Sequence, residues 1–357
     1  MPLTWVDHAR DPDAWARDLG VTRRAVEILL QGPFCDLHVD MEVPVRVWGY
    51  RPDRRHGPHR WPRPFWGHTD YPRLREARLT GVAYDLATNV FRPPERRLAV
   101  TLENVARCVR QIEAWPEDQA VARSYEDYVA ITASGRTAYW LCLQGANAVE
   151  ADPTVLDGPL GDDLHRITLV HLKSSVYGGS NSPGQPDGGL TEDGAAMIAR
   201  CNRRRILVDL AHAGRRTFWD ALAVHDEGLP PVVTHTGLAG VRPLWRNIDD
   251  AQARAIADRG GVVGVVYQGN FLAKVPPGFP SRRRDLVAHL VHLVNVAGEG
   301  AAALGSDYDG IITPPWDLAD VTHHPKLVQD LLDLGWSDAR IRGVLGENYL
   351  RVVRATR

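Results

Sequence analysis

His38 and Asp40 stand two residues apart in FCDLHVD, and a two-residue step along an extended strand puts both side chains on one face. Further along, apolar runs repeatedly carry a polar side chain near their ends. YWLCLQG ends at Gln144, ITLVHLKS carries His171, ILVDLAHAG passes from Asp209 to His212, PPVVTHTG holds His235, and AAALGSDYDG holds Asp307. A lone strand-end histidine is usually a satisfied structural residue. Four histidines and two aspartates at successive strand ends are different, because apart they would leave several buried polar groups unpaired. Together they read as a ligand set for zinc or a similar divalent cation. Such a cation makes a nucleophile from water near neutral pH, and a carboxylate beside it can move protons. Competing chemistries lack their motifs: there is no GxSxG elbow, no phosphate-binding loop and no CxxC pair.

Eight apolar runs would have to position these groups: residues 34–40, 80–90, 137–145, 167–174, 206–214, 230–237, 261–271 and 301–310. They are continuous rather than alternating, as parallel strands buried on both faces are. Helical segments fit between them, among them LTEDGAAMIARCNRR with a Thr191 cap, and RRTFWDALAVHDEG, DDAQARAIADRGG and SRRRDLVAHLVHLVNVAG, each running into a glycine. The pattern predicts an α/β fold, a closed (β/α)8 TIM barrel forming a single domain over residues 1–357. A helical extension is expected over 1–33 and a long first strand-to-helix loop over 42–79. An open doubly wound sheet is the competitor, but it binds ligands through a glycine-rich first turn and no GxGxxG follows any run. The 42–79 loop is dense in Arg, Pro, His and Trp. It reads either as a solvated loop or as a lid that touches substrate, since it leaves the rim where barrel sites are built.

Hydrophobic residues make up 44% of the 357 and charged residues 24%, which excludes wholesale disorder. A net charge of −2 argues against nucleic-acid and membrane-surface partners. The sequence shows no apolar leader, no membrane-length apolar stretch and no hydrophobic tail, and Cys35, Cys108, Cys142 and Cys201 are scattered without paired spacing. A cytoplasmic chain with reduced thiols is expected. The other histidines, including His56, His59, His165 and His225, are expected in loops or on helices. His289 and His292 should cover a helix face, and His323–His324 should lie on the surface.

The motifs CDLHVDM, GHTDYPRLREARLTG, ITLVHLKSS, ILVDLAHAGRRTFWDAL, VVTHTG, RPLWRNIDD, LGSDYDG and GENYLRV follow one another along the chain. In that order they resemble the membrane dipeptidase (renal dipeptidase) family of the amidohydrolase superfamily. The resemblance implies a zinc-dependent hydrolase acting on a dipeptide or a similar small anionic amide, with metal-bound hydroxide as nucleophile. It implies His38 and Asp40 as ligands of one zinc, and His212 and His235 as ligands of a second. His171 would contact the substrate carbonyl or the tetrahedral oxyanion, Arg246 with Asn247 would hold the C-terminal carboxylate, and Asp307 would pass a proton to the leaving amine. From the residues alone, the competing reading of Arg246 is a surface ion pair with Asp249 or Asp250. A homodimer stays open.

One position departs from the resemblance. The family carries a glutamate at the end of the third strand that bridges both zincs, whereas here the matching residue is the neutral amide Gln144. Losing that charge from between two dications weakens the second site, so one zinc is expected, or two with the second loosely held. The alternative is a catalytically impaired or inactive dipeptidase-like binding protein with a mononuclear or absent metal. Lys173, two residues after His171, would face the same way on an extended strand, so a carbamylated lysine replacing the missing charge is a third reading. The simpler one is a snorkelling or substrate-binding cation. AYDLATN also differs from the aromatic FWS-like stretch of the family, which points to an altered substrate side, and the basic residues of 51–63 with Arg246 favour an anionic substrate. A phosphotriesterase-like or deaminase reaction on the same barrel is the remaining competitor.

Overall fold

The computed structural model describes residues 2–57 and 65–357. Nine strands form in chain order: β1 (Cys35–Val39), β2 (Gly81–Ala87), β3 (Gln119–Val121), β4 (Thr137–Gln144), β5 (Leu164–Thr168), β6 (Leu207–Asp209), β7 (Val232–Thr236), β8 (Val262–Val265) and β9 (Ala302–Leu304). Eight of them run side by side in the order β1-β2-β4-β5-β6-β7-β8-β9, each pair parallel, while β3 flanks β4 off this path. The ring nearly closes where Asp40 N donates to Tyr308 O at 2.9 Å and Asp307 N donates to His38 O at 3.0 Å. The result is a single TIM-like barrel with helices around it. Its strands are continuous apolar runs because both faces are covered; all eight residues of β4 are buried.

The helix signals hold at their starts more than at their ends. Thr191 accepts from Gly194 N at 3.0 Å and caps the helix Glu192–Arg204, whose first turn carries Glu192 and Asp193. Of the helices expected to run into a glycine, Arg283–Ala297 ends on Gly298, whereas Arg215–Val224 stops at His225, before Gly228. The N-terminal extension contains helices Pro12–Leu19 and Arg23–Gln31, and the long first loop contains Glu42–Trp48 and Tyr71–Glu76. His59 lies outside the described residues. Among those described, no helix is long and apolar enough to cross a membrane, and the four cysteines are buried and free.

Three expectations are corrected. The run 167–174 is a strand only as far as Thr168, so His171 and Lys173 lie in the loop that follows. His165 is on β5 rather than in a loop or helix, 2.8 Å from the hydroxyl of Tyr349. His324 is not at the surface; it is buried, with Val321 O at 2.7 Å and the Tyr267 hydroxyl at 3.0 Å. A partner at each ring nitrogen makes an imidazole a tolerable core residue.

Candidate metal centre

The ladder is irregular where it delivers its histidines. Register shifts between Asp36 and Val39 on β1, and between Val233 and Thr236 on β7, enclose His38 and His235. Such bulges re-aim side chains. His212 and Asp307 leave their strands with φ of 65° and 62°, the left-handed conformation that non-glycine residues hold chiefly where a site demands it.

These backbone devices bring together side chains far apart in sequence. The rings of His38 and His235 are 3.7 Å apart, His212 and His235 are 5.0 Å apart, and His171 and His212 are 4.7 Å apart. Ligating atoms of His38, His235 and Asp307 lie within 4.8 Å of one another. His212 Nε2 is 2.9 Å from His235 Nε2, and His38 Nε2 is 3.4 Å from Asp40 Oδ2 and 3.7 Å from Asp307 Oδ1.

Three observations fit this cluster to a cation. Asp40 Oδ1 and His212 Nδ1 are buried with no hydrogen-bond partner. Thr234 spends its hydroxyl proton on Asp209 Oδ2 at 2.7 Å, so at 2.9 Å it accepts from His235 Nδ1 and leaves the His235 Nε2 lone pair facing the cluster. Burial alone would lower the pKa of His38, but Asp85 and Asp40 overcome it and push the ring up to about 10, so this pocket favours positive charge. Imidazole nitrogens with carboxylate oxygens are the zinc-type donor set.

A charged layer braces the centre from inside the barrel. Asp85 Oδ2 is 3.0 Å from His38 Nδ1, and Asp85 is also paired with Arg166. Arg166 donates to Leu37 O at 3.0 Å and reaches Asp209 Oδ2 at 3.4 Å. Asp209 further accepts from the Thr168 hydroxyl at 2.7 Å. Burial pushes the Asp85 carboxyl up, but Arg166 and His38 more than reverse it and hold it ionised. Sequence reasoning passed over Asp85 and Arg166. The available signal was a single charge inside an otherwise apolar strand, which is rarely buried unless paired.

The remaining site residues fall into two groups. Asp40, Gln144, His171, His212, Arg246 and Asp307 all line one cavity of about 630 Å³, and Val43, Arg46 and Val47 of the long first loop contribute to its wall. Burial, then His38 and Arg246, lower the pKa of His171 to about 3, so its imidazole is neutral, and its Nδ1 has no partner. Arg246 is buried rather than paired at the surface with Asp249 or Asp250. It donates to His235 O at 2.8 Å through Nη2, and its Nη1 is unpartnered. Burial draws its pKa down to about 10 against the pull of Asp307 and Asp209.

Asn247 and Lys173 do not reach this cavity. Asn247 donates to Arg242 O at 2.8 Å and Phe271 O at 2.9 Å and accepts from Gly237 N at 3.1 Å. Its amide is consumed in bracing the loop that carries Arg246. Lys173, off the strand, is exposed and sits over the Phe91 ring at 5.2 Å.

Gly310 is a tight fit here. A Cβ at this residue would lie 2.2 Å from Asp307 Oδ1 and 2.7 Å from Asp40 Oδ2. Gly310→Ala is therefore expected to displace both carboxylates and to weaken cation affinity at least about tenfold, while the barrel still folds cooperatively. Metal titration beside a thermal melt checks this; unchanged affinity would show that the carboxylates sit elsewhere.

An eight-stranded parallel barrel with imidazoles and carboxylates meeting at the carboxyl ends of its strands defines a barrel protein whose rim could hold a cation. Residues 22–357 match the family described as membrane dipeptidase (peptidase family M19), and the chain belongs to that family. An uncharacterized protein in the pqqA 5′ region of Klebsiella pneumoniae is 38% identical over 181 residues, 48% of this chain and 64% of that relative. The match thus spans less than two thirds of the relative's length. A metallo peptidase from Rhodobacter sphaeroides, solved with a phosphinate mimic of the dipeptide L-Ala-D-Ala, superimposes with a TM-score of 0.80 at 26% identity, covering 91% of this chain and 99% of that one. The probable dipeptidase PvdM from Pseudomonas aeruginosa shares the fold, with a TM-score of 0.83 at 16% identity over 95% of this chain and 98% of its own.

Proposed function

We propose that the chain is a metal-dependent dipeptidase, with zinc as its cation, that cleaves the amide bond of a dipeptide or a similar small anionic amide. The observation that carries this is the meeting of His38, Asp40, His212, His235 and Asp307 at and beneath the wall of one cavity, beside the free Nη1 of Arg246. The family and the dipeptide-mimic complex of the Rhodobacter relative support it. A bound divalent cation would supply Lewis acidity and a water acidic enough to attack an amide near neutral pH.

The protein's own groups do the rest. Arg246 presents a guanidinium face to a substrate carboxylate and fixes the orientation of the amide. Neutral His171 donates to the carbonyl oxygen as charge develops there. Asp307 is held well above the usual carboxylate range, chiefly by burial and further by Asp40, against the opposing pull of His38 and Arg246. A carboxylate so shifted holds a proton more readily than an ordinary one, which suits it to take a proton and return it to the leaving amine.

A second reading, a dipeptidase-like protein that binds without hydrolysing, is favoured by one side chain. Gln144 Nε2 lies 3.1 Å from His38 Nε2 and 3.4 Å from His235 Nε2, so an amide nitrogen faces the space a cation would use. Metal analysis with a dipeptide hydrolysis assay, on wild type and Gln144→Glu, separates the two. Turnover by wild type with metal bound supports the dipeptidase; activity in Gln144→Glu alone supports the binding protein.

Arg246→Lys keeps the charge and loses the fork. Its KM for a free dipeptide is expected to rise about tenfold to a hundredfold, the worth of one charged hydrogen bond. The preference for a free C-terminus over a C-terminal amide should shrink in parallel. A preference that stays intact in the variant would remove Arg246 from this role.

A further inference from the structure

Two more arginines line the same cavity and have no counter-ion. Arg46 stands on the helix Glu42–Trp48 that follows β1, and Arg92 stands in the turn after β2. Neither guanidinium makes a hydrogen bond or ion pair among the described residues. Arg46 and Arg92 are half-buried, whereas the fully buried Arg73, Arg97 and Arg166 are neutralised by Asp70, Glu150 and Asp85. Glu42, the acid on the same helix as Arg46, is taken by Arg107. The carboxylates that line the cavity are Asp40 and Asp307, which belong to the metal centre. Residues 58–64 of the long first loop contain no Asp or Glu, so they bring no counter-ion wherever they lie. Desolvation and then mutual repulsion with Arg46 and Arg96 lower the pKa of Arg92, as burial does that of Arg46. Arg92 feels the repulsion of Arg46 and Arg96, so an anion entering the cavity would be favoured beside them.

Their position says which part of a ligand they would meet. Along the ring of eight strands, β2 and β7 are four places apart in either direction, hence diametrically opposite. Arg92 follows β2, and Arg46 follows the neighbouring β1. Arg246 follows β7, so the loops carrying Arg92 and Arg246 leave opposite sides of the ring, and all three arginines line the same cavity. In the dipeptidase reading, on which this inference rests, Arg246 holds the carboxyl-terminal end of the substrate. The opposite pole then faces the amino-terminal half.

We propose that the preferred substrate is a dipeptide-like amide whose amino-terminal residue carries its own carboxylate, of the aspartyl or glutamyl kind, received by Arg46 and Arg92 across the cavity from Arg246. The neutral walls Val43, Val47 and Ile311 pack the intervening carbons, and the two guanidiniums supply the donors.

The test uses non-hydrolysable ketomethylene isosteres of Glu-Ala and Gln-Ala, which match in shape and differ by one charge. Each is titrated calorimetrically into the full chain with its metal. The glutamyl isostere is expected to bind about tenfold tighter or better, with the advantage falling as salt rises. In Arg46→Gln/Arg92→Gln the ratio should fall toward one; if the double variant melts early, Arg92→Gln, whose side chain is partly exposed in a turn, carries the same comparison. Equal binding of the two isosteres by wild type, or an advantage that survives the substitutions, overturns the proposal. Hydrolysis of Glu-Ala is read separately. A glutamyl preference without cleavage leaves the anion pole standing and removes the dipeptidase, whereas cleavage without preference does the reverse.

Discussion

Gln144→Glu is expected to tighten binding of a second divalent ion by about a hundredfold to a thousandfold. Even with both ionised by bound metal, Asp40 and Asp307 offer two negative charges, which balance one dication but leave a second uncompensated, with buried Arg246 adding to the excess. A carboxylate about 4 Å from a dication, at the effective dielectric that reproduces measured pairs, is worth on the order of 4 kcal/mol per unit charge before its own desolvation is subtracted. The Gln144 amide lies beside His38 and His235, 3.1 and 3.4 Å from their Nε2 atoms, and whichever of its atoms meets a cation brings no charge. Glutamate has acceptors at both atoms. Metal content after exhaustive dialysis, followed by titration with zinc, should give one tightly held ion per chain for wild type and two for the variant. Two equally tight ions in wild type would show that Gln144 is no obstacle.

Much of this site could be read from the sequence because a parallel barrel turns one-dimensional order into a ring. Every strand ends at the same rim, so a polar residue closing each of several apolar runs converges on the others without any knowledge of packing. That is why His38, His212, His235 and Asp307 were recognisable as a set. Boundaries were harder. LVHLKSS stays apolar beyond Thr168, and only the ladder with β6 shows that pairing stops there and that Lys173 has left the strand. Lys173 is thereby no source of a replacement charge. The layer beneath the metal centre was hidden for another reason. Asp85 and Arg166 are 81 residues apart, and neither reveals a partner in its own strand. The same limit hid the unpaired Arg46 and Arg92, since pairing is a three-dimensional property. Asn247 adjoins Arg246 in sequence, but adjacency says nothing of direction, and its amide turns toward the backbone of its own loop.

Asp307→Asn should lower kcat by about two to four orders of magnitude, the usual worth of a positioned proton carrier. The substitution is nearly isosteric, and asparagine accepts the left-handed φ of 62° that Asp307 holds, so the backbone bond from its N–H to His38 O is retained. What is lost is a group that can exchange protons. Stability should not suffer, because burial and Asp40 already make the charged carboxylate unfavourable there. The Asp307 oxygen also lies among the candidate ligands, so metal content must be measured on the same sample. Lost turnover with full metal content assigns the proton-transfer role; lost turnover together with lost metal assigns a ligand instead. Unchanged kcat would mean that another group carries the proton, and within this cavity neutral His171 is the side chain placed to do it, which His171→Asn in the same assay would decide.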